Sequence, residues 1–388
     1  FLIVWDLVCF AKKRGIRYAG RGSAADSAVA YALFITDVDA IERNLLFERF
    51  LSLERAQMPD IDVDFDARYR DEIASYVFAK YGEEHVASVC TFHTYRARSA
   101  LRDLGKAMGF SAEEIDRLAK SFPHIPADAL HHALHRLPEL RDSGLPFARY
   151  EELFDFCAKI AGFPRHIGTH LGGLVISSIP LTHLSPIQQS AKGVPIIQFD
   201  KDDIEMLGLI KIDLLSLRTL SALNDAVISL NRERRQKKAP PLDPSRIPLD
   251  DADTFNMLRT GETIGVFQLE SPAQRALQTR LEADSMEDIV ASVALIRPGP
   301  VQAQMVEPFL ARRSGEEPIH YLHPALQPIL EKTYGVVLYQ EQVIEIATTI
   351  AGFTPGEADR LRKTMTKYRS ERELEEIGNH FVERAVAR

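Results

Sequence analysis

One short stretch, Pro59–Phe65, constrains this chain more than any other, because aspartate alternates there with apolar residues. Strict alternation is typical of a β-strand with carboxylates on one face and apolar side chains on the other. Aspartate is disfavoured in strands, and neighbouring carboxylates repel one another unless cations balance their charge. Oxygen ligands suit Mg²⁺, so the pattern favours a metal site over a solvated acidic face, without deciding which carboxylates bind. The carboxylates on the predicted face are Asp60, Asp62 and Asp64.

A glycine turn precedes this strand. Residues Gly20–Ala25 lead into a predicted helix over Ser23–Leu33 and offer backbone N–H groups, a hydroxyl and the positive end of a helix dipole, which together suit a phosphate. The alternative is a tight turn with Ser23 as the helix N-cap. The turn lacks the residues of a Walker loop and the third glycine of a dinucleotide fingerprint. Helical spacing then continues over residues 37–50.

Strand character returns after a mostly helical block over residues 67–160, which looks like an insertion into a sheet. In the last of the later strands, Lys211 and Asp213 share one face. From residue 219 onward the pattern is again helical. The three later strands are predicted at Gly172–Ser177, Val194–Phe199 and Leu207–Leu214.

The composition is that of a globular chain with a net negative charge, in which a few short segments are rich in lysine and arginine. The 388 residues carry 47 Lys+Arg and 55 Asp+Glu, a net charge of −8, so a nucleic acid would have to be held by local basic surfaces. The three cysteines are far apart, which argues against a disulfide framework and favours a reducing cytoplasm. The apolar run Phe1–Phe10 is too short to span a membrane and is predicted to be a core helix. A chain that begins in this way is expected to be a piece of a longer protein.

Three basic segments flank the carboxylate strand and suit the phosphates of a nucleic acid duplex. They are Arg96–Lys106, Asn231–Lys238 and Arg360–Lys367. Two histidine clusters have spacings that could hold zinc on a helix: His166 with His170, and His131, His132 and His135. Glycines interrupt or follow the first, and no third ligand accompanies the second, so ordinary hydrogen-bonding histidines are favoured.

Taken together, the motifs resemble the bacterial DNA polymerase III alpha subunit, the C family of DNA polymerases, in order and in spacing. The resemblance covers essentially the whole chain. The motifs that carry it are Gly20–Ala25, Leu46–Phe50, Pro59–Phe65, His170–Gly173, Gln198–Lys201, Ile210–Asp213, Val266–Ser271, Arg297–Pro300 and Tyr339–Val343, together with the fingers helix Leu361–Met365.

The resemblance implies an α+β multidomain fold, in which a nucleotidyltransferase-type palm sheet, like that of X-family polymerases, carries a helical thumb insertion and a mostly helical fingers domain. The implied boundaries are 1–92 for the first part of the palm, 93–168 for the thumb, 169–218 for the second part of the palm and 219–388 for the fingers. The family's PHP domain, clamp-binding region and OB domain have no counterpart in these residues.

The resemblance also implies the activity, the template-directed addition of dNMP to a primer 3′-hydroxyl with two Mg²⁺ ions. The implied metal ligands are Asp60, Asp62 and Asp213, with Asp64 as a supporting residue. Lys211 and Arg49 match the family's active-site lysine and arginine, and the residues matched to the triphosphate site are Gly22, Ser23, Arg362 and Lys363. The implied partners are primer–template DNA, dNTPs and, in the full-length protein, a sliding clamp and other replisome subunits in the bacterial cytoplasm, with no membrane.

The chain departs from the family pattern at two positions. Asp26 stands where the family usually has glycine, and Arg362 is followed by Lys363 where a second arginine is usual. The stretches Arg96–Ala100 and Phe163–His166 favour the error-prone paralogue over the replicative enzyme. Two alternatives stay open: a nucleotidyltransferase that works without a template, and a non-catalytic duplex-binding module whose carboxylates are structural.

Overall fold

The structure is a computed structural model, and it describes residues 1–51, 61–141, 143–144, 146–191, 193–296, 305–366 and 371–388. Asp60, the Arg297–Pro300 motif and Lys367 lie outside these ranges. The chain divides into two compact units. The first comprises Phe1–Ile73 with Leu214–Arg388, and the second comprises Ala74–Asp213. The predicted division into palm, thumb and fingers segments stays a prediction.

The first unit begins with the helix predicted from the apolar opening run, which is thereby confirmed. This helix, α1, spans Leu2–Lys13. Its buried residues follow the spacing of one helical face. They are Val4, Leu7, Val8 and Ala11. Strand β1 (Tyr18–Arg21) follows, and a 3₁₀ turn over Gly22–Asp26 leads to the short helix α2 (Ala28–Ala32).

Two expectations for this region are wrong. Ser27, not Ser23, is the N-cap of α2, and its Oγ accepts a hydrogen bond from the Ala30 N–H at 3.3 Å, because the 3₁₀ turn separates the glycine pair from the helix. Residues 37–50 form turns and one 3₁₀ segment instead of a helix. Asp39 Oδ1 accepts from the N–H groups of two residues that follow it, a local arrangement that competes with helical hydrogen bonding.

Strand β2 (Asp62–Asp66) pairs antiparallel with β1, so that Arg21 lies opposite Asp62. Val63 and Phe65 are fully buried, while Asp62 and Asp64 are half-buried. The alternation predicted for the carboxylate strand is therefore confirmed over the part that the structure describes. Helix α3 (Arg70–Tyr81) continues from this strand into the second unit.

The second unit contains a mixed sheet. Its strands are β3 (Val86–Thr94), β4 (Pro164–Ile176), β5 (Ile187–Gln189), β6 (Pro195–Ile197) and β7 (Ile210–Leu217), the last of which leads back into the first unit. The strand order is β7-β4-β3-β6-β5, where β4 runs antiparallel to β7 and β3, β6 is parallel to β3, and β5 is antiparallel to β6. One side of the sheet packs on a core that includes Val89, Val175 and Ile204.

Strand β3 lies inside the block that was predicted to be mostly helical. Residues Val86–Cys90 are all buried, so this half of the strand has no exposed face and shows no alternation of polar and apolar residues. Such a run cannot be distinguished from a buried helical segment by periodicity. The sequence analysis therefore missed β3 because both faces of this half of the strand are buried.

Short helices fill the rest of the second unit and pack on one another. They are α4 (Ala97–Ala107), α5 (Ala112–Ser121), α6 (Leu130–Arg136), α7 (Pro138–Arg141) and α8 (Glu151–Lys159), with α9 (Lys201–Met206) next to the sheet. Phe122 and Phe154 are fully buried at the centre of the α4–α8 cluster, with ring centroids 5.8 Å apart. This cluster has its own hydrophobic core, as expected of a helical insertion.

The remainder of the first unit is helical. Its helices are α10 (Arg218–Gln236), α11 (Ala252–Thr260), α12 (Pro272–Leu281), α13 (Met286–Leu295), α14 (Val306–Ser314), α15 (Gln327–Leu330), α16 (Gln340–Ala351), α17 (Pro355–Thr366) and α18 (Glu371–Ala387). One core surrounds Phe309 and Leu277, and another surrounds Ile344 and Phe353. The fold is therefore α+β. None of the helices in the described ranges is both long and apolar enough to cross a membrane.

Candidate active site

The glycine turn and the carboxylate strand meet in the first unit. Gly22 has a φ of +70°, a conformation that glycine adopts without strain. A Cβ at Gly22 would lie 3.5 Å from Oδ2 of Asp62, so the backbone of the turn lies close to the Asp62 carboxylate. Arg21 Nε lies 3.3 Å from Asp64 Oδ2. The structure thus brings three predicted residues, Gly22, Asp62 and Asp64, into one neighbourhood.

Ser23 lies in the 3₁₀ turn and is half-buried. The helix dipole expected behind it is absent at this position, because α2 begins only at Ala28 and is 5 residues long. Any phosphate held here would therefore depend on the turn's backbone N–H groups and the Ser23 hydroxyl.

The same strand ends on a carboxylate that the sequence analysis did not single out. Asp66 is fully buried, and both of its oxygens are hydrogen-bonded: Arg68 donates to Oδ1 at 3.1 Å and to Oδ2 at 2.9 Å, and Ser221 Oγ donates to Oδ1 at 2.6 Å. The hydrogen bonds from Arg68, against the effect of burial, lower the pKa of Asp66 to about 2. Asp66 continues the alternating aspartates two residues after Asp64, so the sequence placed it on the same strand face. The pattern could not reveal that its carboxylate is hydrogen-bonded by Arg68 and Ser221.

The second unit holds the other predicted carboxylate. Asp213 lies on β7 opposite Gly173 of β4, and Lys211 Nζ is 2.8 Å from its Oδ2. Oδ1 of Asp213 is buried and has no hydrogen-bond partner within the described residues. His170 Nδ1 is 3.8 Å from that oxygen, but it already accepts the Gly173 N–H at 2.8 Å. The predicted pairing of Lys211 and Asp213 on one face is confirmed.

A hard divalent cation fits the donor chemistry of these residues. A buried carboxylate oxygen without a hydrogen bond is costly unless a cation or donor reaches it, and Oδ1 of Asp213 is such an atom. Within the described ranges no three His, Cys, Asp or Glu side chains form a group that could hold a metal ion. Asp60, the first of the implied ligands, lies outside those ranges, so the implied set is incomplete in this structure.

Arg49 is held between two carboxylates of the first unit. Its Nη1 lies 3.1 Å from Asp26 Oδ2 and 2.7 Å from Glu341 Oε1. Asp26 is buried, and desolvation, against the attraction of Arg49, raises its pKa to about 6. The structure thus gives Asp26, which departs from the family pattern, a role as the buried partner of the implied active-site arginine.

The two cations implied for the fingers are anchored by one carboxylate. Asp359 Oδ1 accepts from Arg362 Nη2 at 2.7 Å, and its Oδ2 lies 2.8 Å from Lys363 Nζ. Burial acts to raise the pKa of Asp359, but the hydrogen bonds from Lys363 and Arg362 outweigh it and hold the pKa below its usual value. Arg362 Nη1 also donates to Gln340 Oε1 at 2.9 Å. Both cations therefore have fixed positions.

The basic segments differ in how much of their charge is used within the protein. Arg98 donates to the Phe122 carbonyl, and Arg102 pairs with Asp116 at 2.7 Å. The tract Asn231–Lys238 at the end of α10 is largely exposed. Of the histidine clusters, His131 lies 3.0 Å from Asp155, and His166 stacks on His93 with ring centroids 4.6 Å apart.

Comparison with known proteins identifies the family. The model of the bacterial DNA polymerase III alpha NTPase domain matches residues 1–216, and the model of the bacterial DNA polymerase III alpha subunit finger domain matches residues 219–388. An error-prone DNA polymerase of Symbiobacterium thermophilum is 63% identical over 388 residues, which are 100% of this chain and 35% of that protein.

Two further relatives are DNA polymerase III alpha subunits. That of Bacillus subtilis is 45% identical over 384 residues, 99% of this chain and 34% of the relative, and that of Escherichia coli is 43% identical over 378 residues, 96% of this chain and 33% of the relative. This chain therefore spans about a third of the length of these relatives. The resemblance stated from the motifs is confirmed, and the chain belongs to the bacterial DNA polymerase III alpha family.

Proposed function

We propose that this chain carries the nucleotidyl-transfer site of a DNA-directed DNA polymerase, which adds dNMP to a primer 3′-hydroxyl under the direction of a template. The observation that carries the proposal is Asp213, a half-buried carboxylate with one oxygen held by Lys211 and the other, a buried oxygen, without a hydrogen bond from any residue that the structure describes. A purely structural carboxylate with a buried oxygen would be expected to have that oxygen hydrogen-bonded.

The proposal assigns the metal ligands to Asp60, Asp62 and Asp213, with Asp64 in support. When bound, two Mg²⁺ ions would lower the pKa of the primer hydroxyl and neutralise charge that develops on the transferred phosphate. The protein's part is to fix the carboxylates, and Lys211 does so for Asp213 by holding Oδ2 at 2.8 Å. The lysine also balances the negative charge of Asp213.

The triphosphate of the incoming nucleotide is assigned to the turn residues Gly22 and Ser23 and to the cations Arg362 and Lys363. A third cation, Arg49, is assigned to the reacting centre. The positive φ of Gly22 opens the backbone N–H groups of the turn to a ligand, as in other oxyanion-binding turns. Asp359 and Asp26 hold the three cations in place. Cations that are already oriented lose little conformational freedom when they bind a phosphate.

The partners that follow are primer–template DNA and dNTPs, and in the full-length protein a sliding clamp and other replisome subunits, acting in the bacterial cytoplasm. Duplex contacts are assigned to basic residues of α4 and to the exposed tract at the end of α10. A role in translesion synthesis is favoured over routine replication, because the 63% identical relative bears the name error-prone DNA polymerase.

Primer extension by the full-length protein, with each of the four bases in turn at the first template position, tests the proposal. We expect addition of the complementary dNMP alone, dependence on Mg²⁺, and loss of addition in Asp62→Asn. Addition that ignores the template base would identify an untemplated nucleotidyltransferase. Duplex binding without any addition, and unchanged by Mg²⁺, would identify the binding module and contradict the metal assignment.

A further inference from the structure

The start of helix α16 contains a family-matched motif, Tyr339–Val343, that the proposed function leaves without a role. Gln342 fixes the conformation of this turn. Its Oε1 accepts the N–H groups of Leu338 and Tyr339 at 2.8 Å each, and its Nε2 donates to Thr333 Oγ1 at 2.8 Å. Because Gln342 is buried, this start of the helix is held rigidly from within.

The two residues before Gln342 contact two arginines that the resemblance implies, the active-site arginine Arg49 and the triphosphate arginine Arg362. Glu341 Oε1 lies 2.7 Å from Arg49 Nη1, and Gln340 Oε1 accepts from Arg362 Nη1 at 2.9 Å. These arginines come from distant parts of the sequence, one from the segment before the carboxylate strand and one from α17. A single helical turn therefore contacts both.

Arg49 is contacted from the opposite direction by the glycine turn. Asp26, the last residue of the Gly22–Asp26 turn, lies 3.1 Å from the same Nη1 atom that meets Glu341. Both ion pairs found for Arg49 in the described part of the chain use the Nη1 atom. Because the guanidinium group is planar, holding Nη1 also fixes the direction in which its other nitrogens point. Arg49 links the glycine turn to the start of α16.

We propose that Glu341 and Gln340 are positioning residues, which hold the active-site arginine Arg49 and the triphosphate arginine Arg362 in the orientation that receives the incoming nucleotide. The inference rests on the proposed function. In it, the start of α16 aligns Arg362 of α17 with Arg49, which contacts the glycine turn. Arginines that are already ordered lose less conformational entropy when they bind the phosphates of a nucleotide. Loss of either contact then weakens nucleotide binding more than it slows the chemical step.

Steady-state kinetics of Glu341→Gln in the full-length protein test this. The substitution keeps the shape of the side chain and removes its charge. We expect the KM for dNTP to rise about tenfold, the effect of one charge-assisted hydrogen bond, with kcat within about twofold of the parent. Glu341→Asp should restore part of the loss. Gln340→Met should raise KM less, because a neutral acceptor is lost.

Glu345 provides the matched control, because it lies one turn further along α16 and is half-buried, and no ion pair is found for it among the described residues. Glu345→Gln removes the same charge from the same helix and should leave KM unchanged. An equal rise in KM for Glu341→Gln and Glu345→Gln would overturn the inference, since only the helix's net charge would then matter.

Hydrogen–deuterium exchange separates failure of the inference from failure of the proposed function. If Glu341 positions Arg49, Glu341→Gln should speed amide exchange in the Gly22–Asp26 turn, and Glu345→Gln should not. This readout needs no catalysis, so it decides the positioning role even if the parent protein does not extend primers. Unchanged exchange in the turn, or a parent-like KM in an active Glu341→Gln protein, would contradict the inference.

Discussion

Asp66 at the end of β2 is fully buried and Asp213 on β7 is half-buried, and the two aspartates differ in the partners of their carboxylate oxygens. Asp66 has both oxygens hydrogen-bonded, to Arg68 and Ser221. Asp213 has one oxygen on Lys211 and a second, buried oxygen without a partner within the described residues. The comparison teaches that burial alone does not mark a functional carboxylate. What distinguishes the two is whether the described residues provide hydrogen bonds to both oxygens or to one.

The largest effect is expected from Asp213→Asn. Loss of a ligand charge should remove on the order of several kcal/mol of transition-state stabilisation, so that primer extension falls below detection. The folded protein loses the charge that pairs with Lys211, but at Oδ1 it loses no hydrogen bond from the described residues, so we expect a smaller loss of stability than for Asp66→Asn. Single-turnover extension and a thermal melt of the same preparation measure both. A variant that extends at near the parental rate would remove Asp213 from the chemistry.

Asp66→Asn should show the opposite profile. The neutral amide cannot accept the full set of bonds from Arg68 and Ser221, and we expect a loss of about 2 kcal/mol in the free energy of unfolding, the value for hydrogen bonds to a charged group. Urea unfolding measures the loss, and extension per folded molecule should stay near the parent's. Normal stability with lost extension would reverse the roles assigned to the two carboxylates.

The pH dependence of stability extends the comparison to a further buried carboxylate, Asp26. Its pKa is raised to about 6 in the folded state. Between about pH 4 and this value the folded state therefore binds more protons than the unfolded state. The contribution of Asp26 to stability falls as pH rises through that window. Asp66 has its pKa lowered to about 2, so its contribution is present above about pH 4 and is lost as pH falls towards 2.

Urea unfolding across these two ranges checks the signs. The difference in stability between parent and Asp26→Asn should change between about pH 4 and 6, and the difference between parent and Asp66→Asn should change below about pH 4. Identical pH profiles for the two variants would mean that their surroundings do not differ as described.

Gly173→Ala is expected to have the smallest effect. A Cβ there would lie 2.8 Å from His170 Nδ1 and 3.2 Å from Asp213 Oδ1, so the histidine must shift beside the carboxylate. We expect a loss of about 1 kcal/mol in stability and a modest fall in extension rate. Gly378→Ala on α18 is the control, because nothing lies within 4 Å of its Cβ position. Equal behaviour of the two variants would show that the packing at Gly173 is not constrained.

Part of this fold followed from local pattern. The alternation around Asp62 gave the strand face, the shared face of Lys211 and Asp213 was predicted correctly, and the apolar opening run forms α1. Strand β3 was missed because five of its residues are buried together and carry no period. The helix expected over residues 37–50 is absent, because local side-chain hydrogen bonds compete with helical ones there.

The site was predictable in its residue types and not in its pairings. The Arg49–Glu341 ion pair joins residues almost 300 positions apart, and no periodicity encodes such a contact. Asp66 continued the series of alternating aspartates, yet its partner Ser221 lies 155 residues away. Sequence pattern pointed to carboxylates suited to a metal, and only the tertiary structure showed that Asp66 has partners at both oxygens while Oδ1 of Asp213 has none among the described residues.

Binding of Mn²⁺, followed by electron paramagnetic resonance in the full-length parent, Asp213→Asn and Asp66→Asn, tests the central claim most directly, because it reads metal occupancy without catalysis. The account predicts that Asp213→Asn weakens or removes bound Mn²⁺ while Asp66→Asn binds it as the parent does. Unchanged Mn²⁺ binding in Asp213→Asn, or equal loss in both variants, would contradict the claim that Oδ1 of Asp213 is a metal ligand.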